Sequence, residues 1–164
     1  MAVGCPEAAR QRGALTVATL QVTRSVVVRL PPSEAFAAFT RDIDRWYVRG
    51  PYSWANPARA VGIRFEGGLG GRLFEVWNEA TGEGFERGRI TAWEPGALLG
   101  LRYHFAGLAG PESNLTVRFE PVDGGTNVTL THTSEGMPPE QARVTGGRAW
   151  RALMAAFEAY ARAL

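Results

Sequence analysis

The 164-residue sequence contains no lysine, one cysteine and two histidines. Each shortage removes a class of chemistry. Without lysine there is no Schiff-base catalysis and no phosphate loop of the Gly-Lys-Ser/Thr type. The single cysteine, Cys5, rules out an internal disulfide framework and any cysteine-rich zinc site. Cys5 sits in a weakly patterned N-terminal stretch, which lacks the positioned partner that a nucleophilic thiol needs. Two histidines without HxH or HExxH spacing fall short of the roughly three convergent ligands of a catalytic zinc. No G-x-S-x-G elbow is present either. Neither a metal nor a cofactor is expected.

Long apolar runs are also missing. Nothing approaches the roughly 18 consecutive apolar residues of a membrane helix. The opening MAVGCPEAARQRGALTV carries charges where an export signal would be apolar. A cytoplasmic protein without membrane contact is therefore expected. The 18 basic residues, all arginine, face 16 acids for a net charge of +2. They are scattered along the chain rather than gathered into a patch, so nucleic acid is not an expected partner.

What remains is a chain rich enough in apolar residues, at 45%, to build a sizeable core. Its length suits one domain. Residues 1–18 read as a flexible tail and residues 19–164 as the domain. Gln21 to Leu30 alternates, with Val22, Val26, Val28 and Leu30 on one parity, and predicts a strand. Pro31-Pro32-Ser33-Glu34 then starts a short helix bearing Phe36 and Phe39, and RDIDRWY, Arg41 to Tyr47, reads as a second helical turn. Strand-like runs follow at Val61–Phe65, Arg72–Trp77, Glu83–Trp93, Leu98–Phe105, Leu115–Pro121 and Thr126–Thr133. The short connections between them favour an antiparallel meander, and Asp123-Gly124-Gly125 signals a hairpin. From Glu140 to Leu164, Trp150, Leu153, Met154, Phe157, Tyr160, Ala161 and Leu164 recur at helical spacing.

The expected architecture is α+β: about seven antiparallel strands, two short helices after the first, and a long C-terminal helix covering the apolar face. A helix laid across a strongly curved sheet leaves a cavity between the two. GGLGG, Gly67 to Gly71, is a strand corner in this scheme rather than a nucleotide loop. A dinucleotide fingerprint needs glycines at its first, third and sixth positions before a helix; here the run leads into strand-like RLFEVW. On the parity of that strand, Phe74 and Val76 are expected to face the cavity, leaving Arg72 as their parity-mate.

Candidate site residues follow from alternation. His132 shares parity with Val128 and Leu130, which points it inward as a ligand hydrogen-bonder or a general base; His104 is expected to face out. Glu75, Glu86, Arg87 and Arg89 lie near the cavity. Either Glu86, Gly88 and Ile90 or Phe85, Arg87 and Arg89 turn inward, and solvated face charges are the plainer expectation. The cavity lining is expected from Trp46, Phe65, Phe74, Val76, Tyr103, Phe105, His132, Trp150, Met154 and Phe157. Should the protein be an enzyme, His132 and Glu86 are the acid/base candidates; no covalent catalysis is expected.

Four stretches in order carry a resemblance: FEGGLGGRLFE (Phe65–Glu75), GRITAWEPG (Gly88–Gly96), LTVRFEPVDGGTNVTLTH (Leu115–His132) and Ala149-Trp150 in the last helix. Together they resemble the START-like (SRPBCC, helix-grip or Bet v-like) superfamily over about residues 20–164. Within it they are similar to the bacterial branch related to the C-terminal domain of the heat-shock-protein-90 ATPase activator. Ala149 stands where such proteins carry glycine before the tryptophan, and Pro95-Gly96 where they carry a Pro-Pro turn; both changes are conservative. The resemblance implies a helix-grip fold; with the expected cavity, a protein that binds a small hydrophobic molecule, as a monomer or homodimer, is the leading expectation. It also brings two alternatives: a polyketide-cyclase-like enzyme using the same cavity, and a chaperone- or regulator-contacting module. The eukaryotic activator's additional chaperone-contacting domain has no counterpart in this sequence.

Overall fold

The computed structural model describes residues 19–51, 53–104, 112–137 and 139–164. Strand β1 (Thr19–Val28) leads into two short helices, α1 (Pro32–Thr40) and α2 (Ile43–Trp46). Six strands follow: β2 (Gly62–Glu66), β3 (Arg72–Asn78), β4 (Glu83–Glu94), β5 (Leu98–Tyr103), β6 (Ser113–Val122) and β7 (Gly125–Glu135). The chain ends in a helical segment made of α3 (Pro139–Val144), a π-helical turn (Thr145–Ala149) and α4 (Trp150–Arg162). This is the predicted α+β helix-grip arrangement. The predicted tail, residues 1–18, and Phe105 lie outside the described residues.

All strands join one antiparallel sheet in the order β1-β7-β6-β5-β4-β3-β2. The meander runs from β2 to β7, and β1 closes it by pairing with β7 from Thr19↔Glu135 to Val28↔Thr126. Alternation gives the sheet an apolar side: Leu115, Val117 and Phe119 of β6 and Val128, Leu130 and His132 of β7 are all buried. Helix α4 lays Trp150, Leu153, Met154, Phe157 and Ala161 against that side. Removing such a stripe from water is the main force holding helix to sheet.

Two glycine corners set the register. Gly68 and Gly70 both take positive φ, and a Cβ on Gly71 would run into the Glu66 carbonyl oxygen. GGLGG is thus the β2–β3 turn that the spacing predicted, pinned to β4 by the Gly70 amide donating to the Ile90 carbonyl at 2.9 Å. Asp123-Gly124 makes the two-residue β6–β7 turn, with Gly124 at positive φ.

One strand departs from simple alternation. Leu73 pairs with Gly88 but Phe74 with Glu86, so Arg87 is an extra residue in β4, a β-bulge. The bulge resets which side each β4 residue faces. Arg87 is fully buried, Arg89 is half exposed and Glu86 pairs with Arg89 on the outside. Neither predicted parity set turns inward as a whole.

Candidate functional site

The interior between α4 and the sheet is aromatic at one end and polar at the other. At the aromatic end Phe39 meets Trp46, Phe119 and Phe157 with ring centres 4.8, 5.8 and 5.0 Å apart. Phe36 packs edge-on to Trp93 and Phe119. Tilted and edge contacts at these spacings are the favoured aromatic geometry, so side chains fill this end.

The polar end is built around Arg87, delivered inward by the bulge. Its Nη1 donates to the Ser53 carbonyl and to Glu75 Oε2 at 3.3 Å; its Nη2 donates to the Tyr47 hydroxyl at 3.1 Å and to the Tyr103 hydroxyl. Tyr47 lies just past α2, and its hydroxyl donates to the Ser53 carbonyl at 3.1 Å. Glu75 is fully buried as well. Its carboxylate accepts from the Ala55 and Asn56 amides at 2.7 and 2.9 Å and from Trp77 Nε1 at 2.9 Å.

Electrostatics follow from these partners. Burial works against a charged Glu75, but the Trp77, Asn56 and Ala55 N–H donors and Arg87 outweigh it and hold the carboxyl below the usual carboxylate range. Burial likewise opposes the charge on Arg87, and the Tyr103 and Tyr47 oxygens with Glu75 overcome that, raising its pKa further. The Tyr47 hydroxyl is pushed well above its ordinary value by burial.

Tyr103 links this cluster to a second one. The Trp150 indole N–H donates to His132 Nδ1 at 3.0 Å, and His132 Nε2 lies 2.7 Å from Ser113 Oγ. Ser113 Oγ in turn donates to the Tyr103 carbonyl at 2.9 Å. Because Nδ1 accepts and Ser113 spends its proton on a carbonyl, the ring must carry its own proton on Nε2. His132 is therefore neutral with both nitrogens engaged, and burial lowers its pKa to about 4.

The expected residues separate into groups. Trp46, Tyr103, His132, Trp150, Met154 and Phe157 are buried together between sheet and helices, and Phe65 packs at the margin against Trp93. Phe74 and Val76 do not face that interior, which corrects the sequence reading. Leu73 and Glu75 take the inner side of β3, so their neighbours face out; Arg72 and Arg64 lie 4.2 and 5.9 Å from the Phe74 ring centre. The orphan Arg72 has a partner, Glu66, at 2.6 Å. Glu86 is likewise on the outer side with Arg89, which removes it as an internal acid/base candidate. Arg87 and Glu75, read as plausible face charges, are instead the buried centre. His104, past the end of β5, is half-buried. Alternation had no means to find Tyr47, Ser53 or Ser113: the first two come from the irregular α2–β2 connection, and Ser113 stands at the start of a strand.

Among the described residues no group of three His, Cys, Asp or Glu side chains is placed to hold a metal ion. No helix among them is long and apolar enough to cross a membrane.

Comparison with known proteins places this architecture. The model of the family described as "Activator of Hsp90 ATPase homolog 1-like protein" matches residues 29–162. No curated protein sequence matches the chain. Among solved structures, an uncharacterised protein from Rhizobium leguminosarum aligns with a TM-score of 0.65 at 16% identity, covering 91% of this chain and 98% of that one. The Aha1 dimer from Colwellia psychrerythraea gives 0.63 at 14% identity, covering 87% and 96%. CalU16 from Micromonospora echinospora gives 0.61 at 18% identity, covering 90% and 84%. At these identities the likeness is one of fold.

Proposed function

This chain belongs to the Activator of Hsp90 ATPase homolog 1-like protein family, and from that premise we propose that it binds a small hydrophobic or aromatic molecule between α4 and the sheet, without covalent chemistry. The observation that carries the reading is the meeting of two buried polar clusters at Tyr103, inside an otherwise apolar interior. Ligand sites typically combine apolar walls with a few convergent polar groups. A buried ion pair such as Arg87–Glu75 is weak support for stability, since desolvation offsets much of its attraction. Recognition is the better reason for keeping it. Tyr103, His132, Trp150 and Met154 are the side chains we assign to the ligand, with Trp46 and Phe157 behind them.

Mass spectrometry of gently extracted protein tests this directly: a co-purifying small molecule is expected. Recovering none, with no thermal shift across a hydrophobic library, counts decisively against it. The cyclase-like reading requires a group that exchanges protons with the ligand, and His132 has both nitrogens engaged. Undiminished turnover by His132→Gln on any substrate found removes that residue as acid/base. The family's description favours a chaperone contact as a further reading; stimulation of the chaperone's ATPase by the purified protein is its test.

A further inference from the structure

The carbonyl and carboxylate acceptors of the polar cluster are full. The Ser53 carbonyl receives Arg87 Nη1 and the Tyr47 hydroxyl. Glu75 Oε1 receives the Asn56 amide and the Trp77 indole; Oε2 receives the Ala55 amide and Arg87 Nη1. A carbonyl or carboxylate oxygen offers two lone pairs, so none of the three has one to spare. On the donor side, Arg87 Nε is buried and has no partner among the described residues. The Tyr103 hydroxyl accepts from Arg87 Nη2, and among the described residues its own proton finds only the Tyr47 oxygen, at 3.5 Å. That distance lies beyond the range of a good O–H···O bond. Two buried donors are left without a well-placed acceptor among the described residues. The planar guanidinium carries its Nε–H on the same edge as Nη2, so both open beside the tyrosine oxygens.

We infer that the site selects ligands whose buried end is an oxygen that accepts hydrogen bonds and donates none, a carboxylate or a ketone, carried on an apolar or aromatic body. This rests on the small-molecule reading above and adds the chemistry of recognition. An amine brings further donors to a cluster whose carbonyl and carboxylate acceptors are full, and a hydrocarbon leaves both donors desolvated and unpaired, the costliest arrangement for a buried polar group. Arg87 and Tyr103 are the specificity-determining pair, and the Trp150 ring packs tilted against Tyr103 with centres 5.9 Å apart.

Isothermal titration with four matched probes tests it: 2-naphthoate, 2-acetylnaphthalene, 2-methylnaphthalene and 2-naphthylmethylamine. The acid and the ketone are expected to bind about ten-fold or more tighter than the hydrocarbon and the amine, the ratio for roughly one buried hydrogen bond. Tyr103→Phe keeps the ring and removes the unmatched hydroxyl; it should cut that preference several-fold and leave 2-methylnaphthalene binding nearly unchanged. Should that variant fail to fold by circular dichroism, the ranking in the unaltered protein decides alone. Equal binding of all four overturns the selectivity while leaving small-molecule binding intact. Failure of all four to bind, with no ligand recovered by mass spectrometry, overturns both.

Discussion

Arg87 and Arg89 stand two residues apart on β4, each beside a glutamate, yet they live in different solvents. Arg89 meets Glu86 at 2.5 Å on the outer side of the sheet, with half its side chain in water. Arg87 meets Glu75 at 3.3 Å with neither exposed. The outer side repeats the first arrangement, as Arg72 pairs with Glu66 across neighbouring strands at 2.6 Å and Arg64 with Glu79 of the β3–β4 turn at 3.1 Å. Those pairs are screened by water and salt and contribute little individually. The inner pair gives up water entirely and replaces it with two tyrosines, a backbone carbonyl, two backbone amides and an indole. A single extra residue in a strand separates the two regimes: without the bulge, Arg87 and Arg89 would share a face.

The comparison breaks most sharply by removing one inner partner. Glu75→Ala leaves the Arg87 charge buried without its carboxylate, and it strands the Ala55 and Asn56 amides. Loss of one member of a buried pair costs about 3–5 kcal/mol. Denaturant unfolding of this variant beside Glu86→Ala measures the contrast. Equal midpoints for the two variants would mean that the inner pair behaves as a surface pair. The double variant Glu75→Leu/Arg87→Met sharpens the point: it should be milder than Glu75→Ala, because no charge is left unpaired.

The next effect lies in the second cluster and is read by pH. His132 is neutral in the fold with a pKa of about 4, against 6.5 for a free histidine. Between those values the unfolded chain binds a proton that the folded chain does not, so stability rises with pH across this window and is complete above it. The difference is on the order of 3 kcal/mol. Acidifying from pH 7 toward 4 should erode stability by that amount in the natural protein and by much less in His132→Gln. Below the usual carboxylate range Glu75 adds a further loss, since its lowered pKa stabilises the fold only while it is ionised. Parallel pH profiles for the two proteins would show that His132 protonates without penalty.

Much of this was legible in the sequence, for reasons that also explain what was not. Turn glycines and period-two runs fixed the strands, because Gly68, Gly70 and Gly124 occupy conformations that other residues resist. His132 could be turned inward from Val128 and Leu130, since β7 alternates without interruption. Strand β3 defeated the same argument: Leu73, Phe74, Glu75 and Val76 are all buried, so polarity does not mark its inner side. Phe74 is covered from outside by arginine side chains, whose planar heads shield an aromatic ring while staying hydrated. The bulge at Arg87 has no local signature, because pairing with β3 creates it. Tyr47 and Ser53 reach the cluster from a segment without periodicity, where only three-dimensional packing says what meets what.

A smaller change probes the link between the clusters. Trp150→Phe keeps an aromatic ring on α4 and removes the N–H that His132 Nδ1 accepts. One lost buried hydrogen bond, with the imidazole acceptor left unmatched, costs about 1–3 kcal/mol by thermal or denaturant unfolding. The same variant should raise the His132 pKa relative to the natural protein, because Nδ1 becomes free to take a proton; nuclear magnetic resonance titration of the ring carbons reads that shift. An unchanged titration would mean that burial alone, and not the indole, keeps the ring neutral.

The smallest expected effect is the control for all of these. Arg89→Ala removes the outer partner of Glu86, both of which can be rehydrated where they stand. Surface substitutions of this kind stay within about 0.5 kcal/mol. Added salt should narrow even that difference, since screening acts on exposed pairs first. If Arg89→Ala were instead as damaging as Glu75→Ala, the outer arginines would be holding β4 in its bulged register through Glu86. The two faces of the strand would then act as one unit, and the position of Arg87 would depend on charges that it never touches.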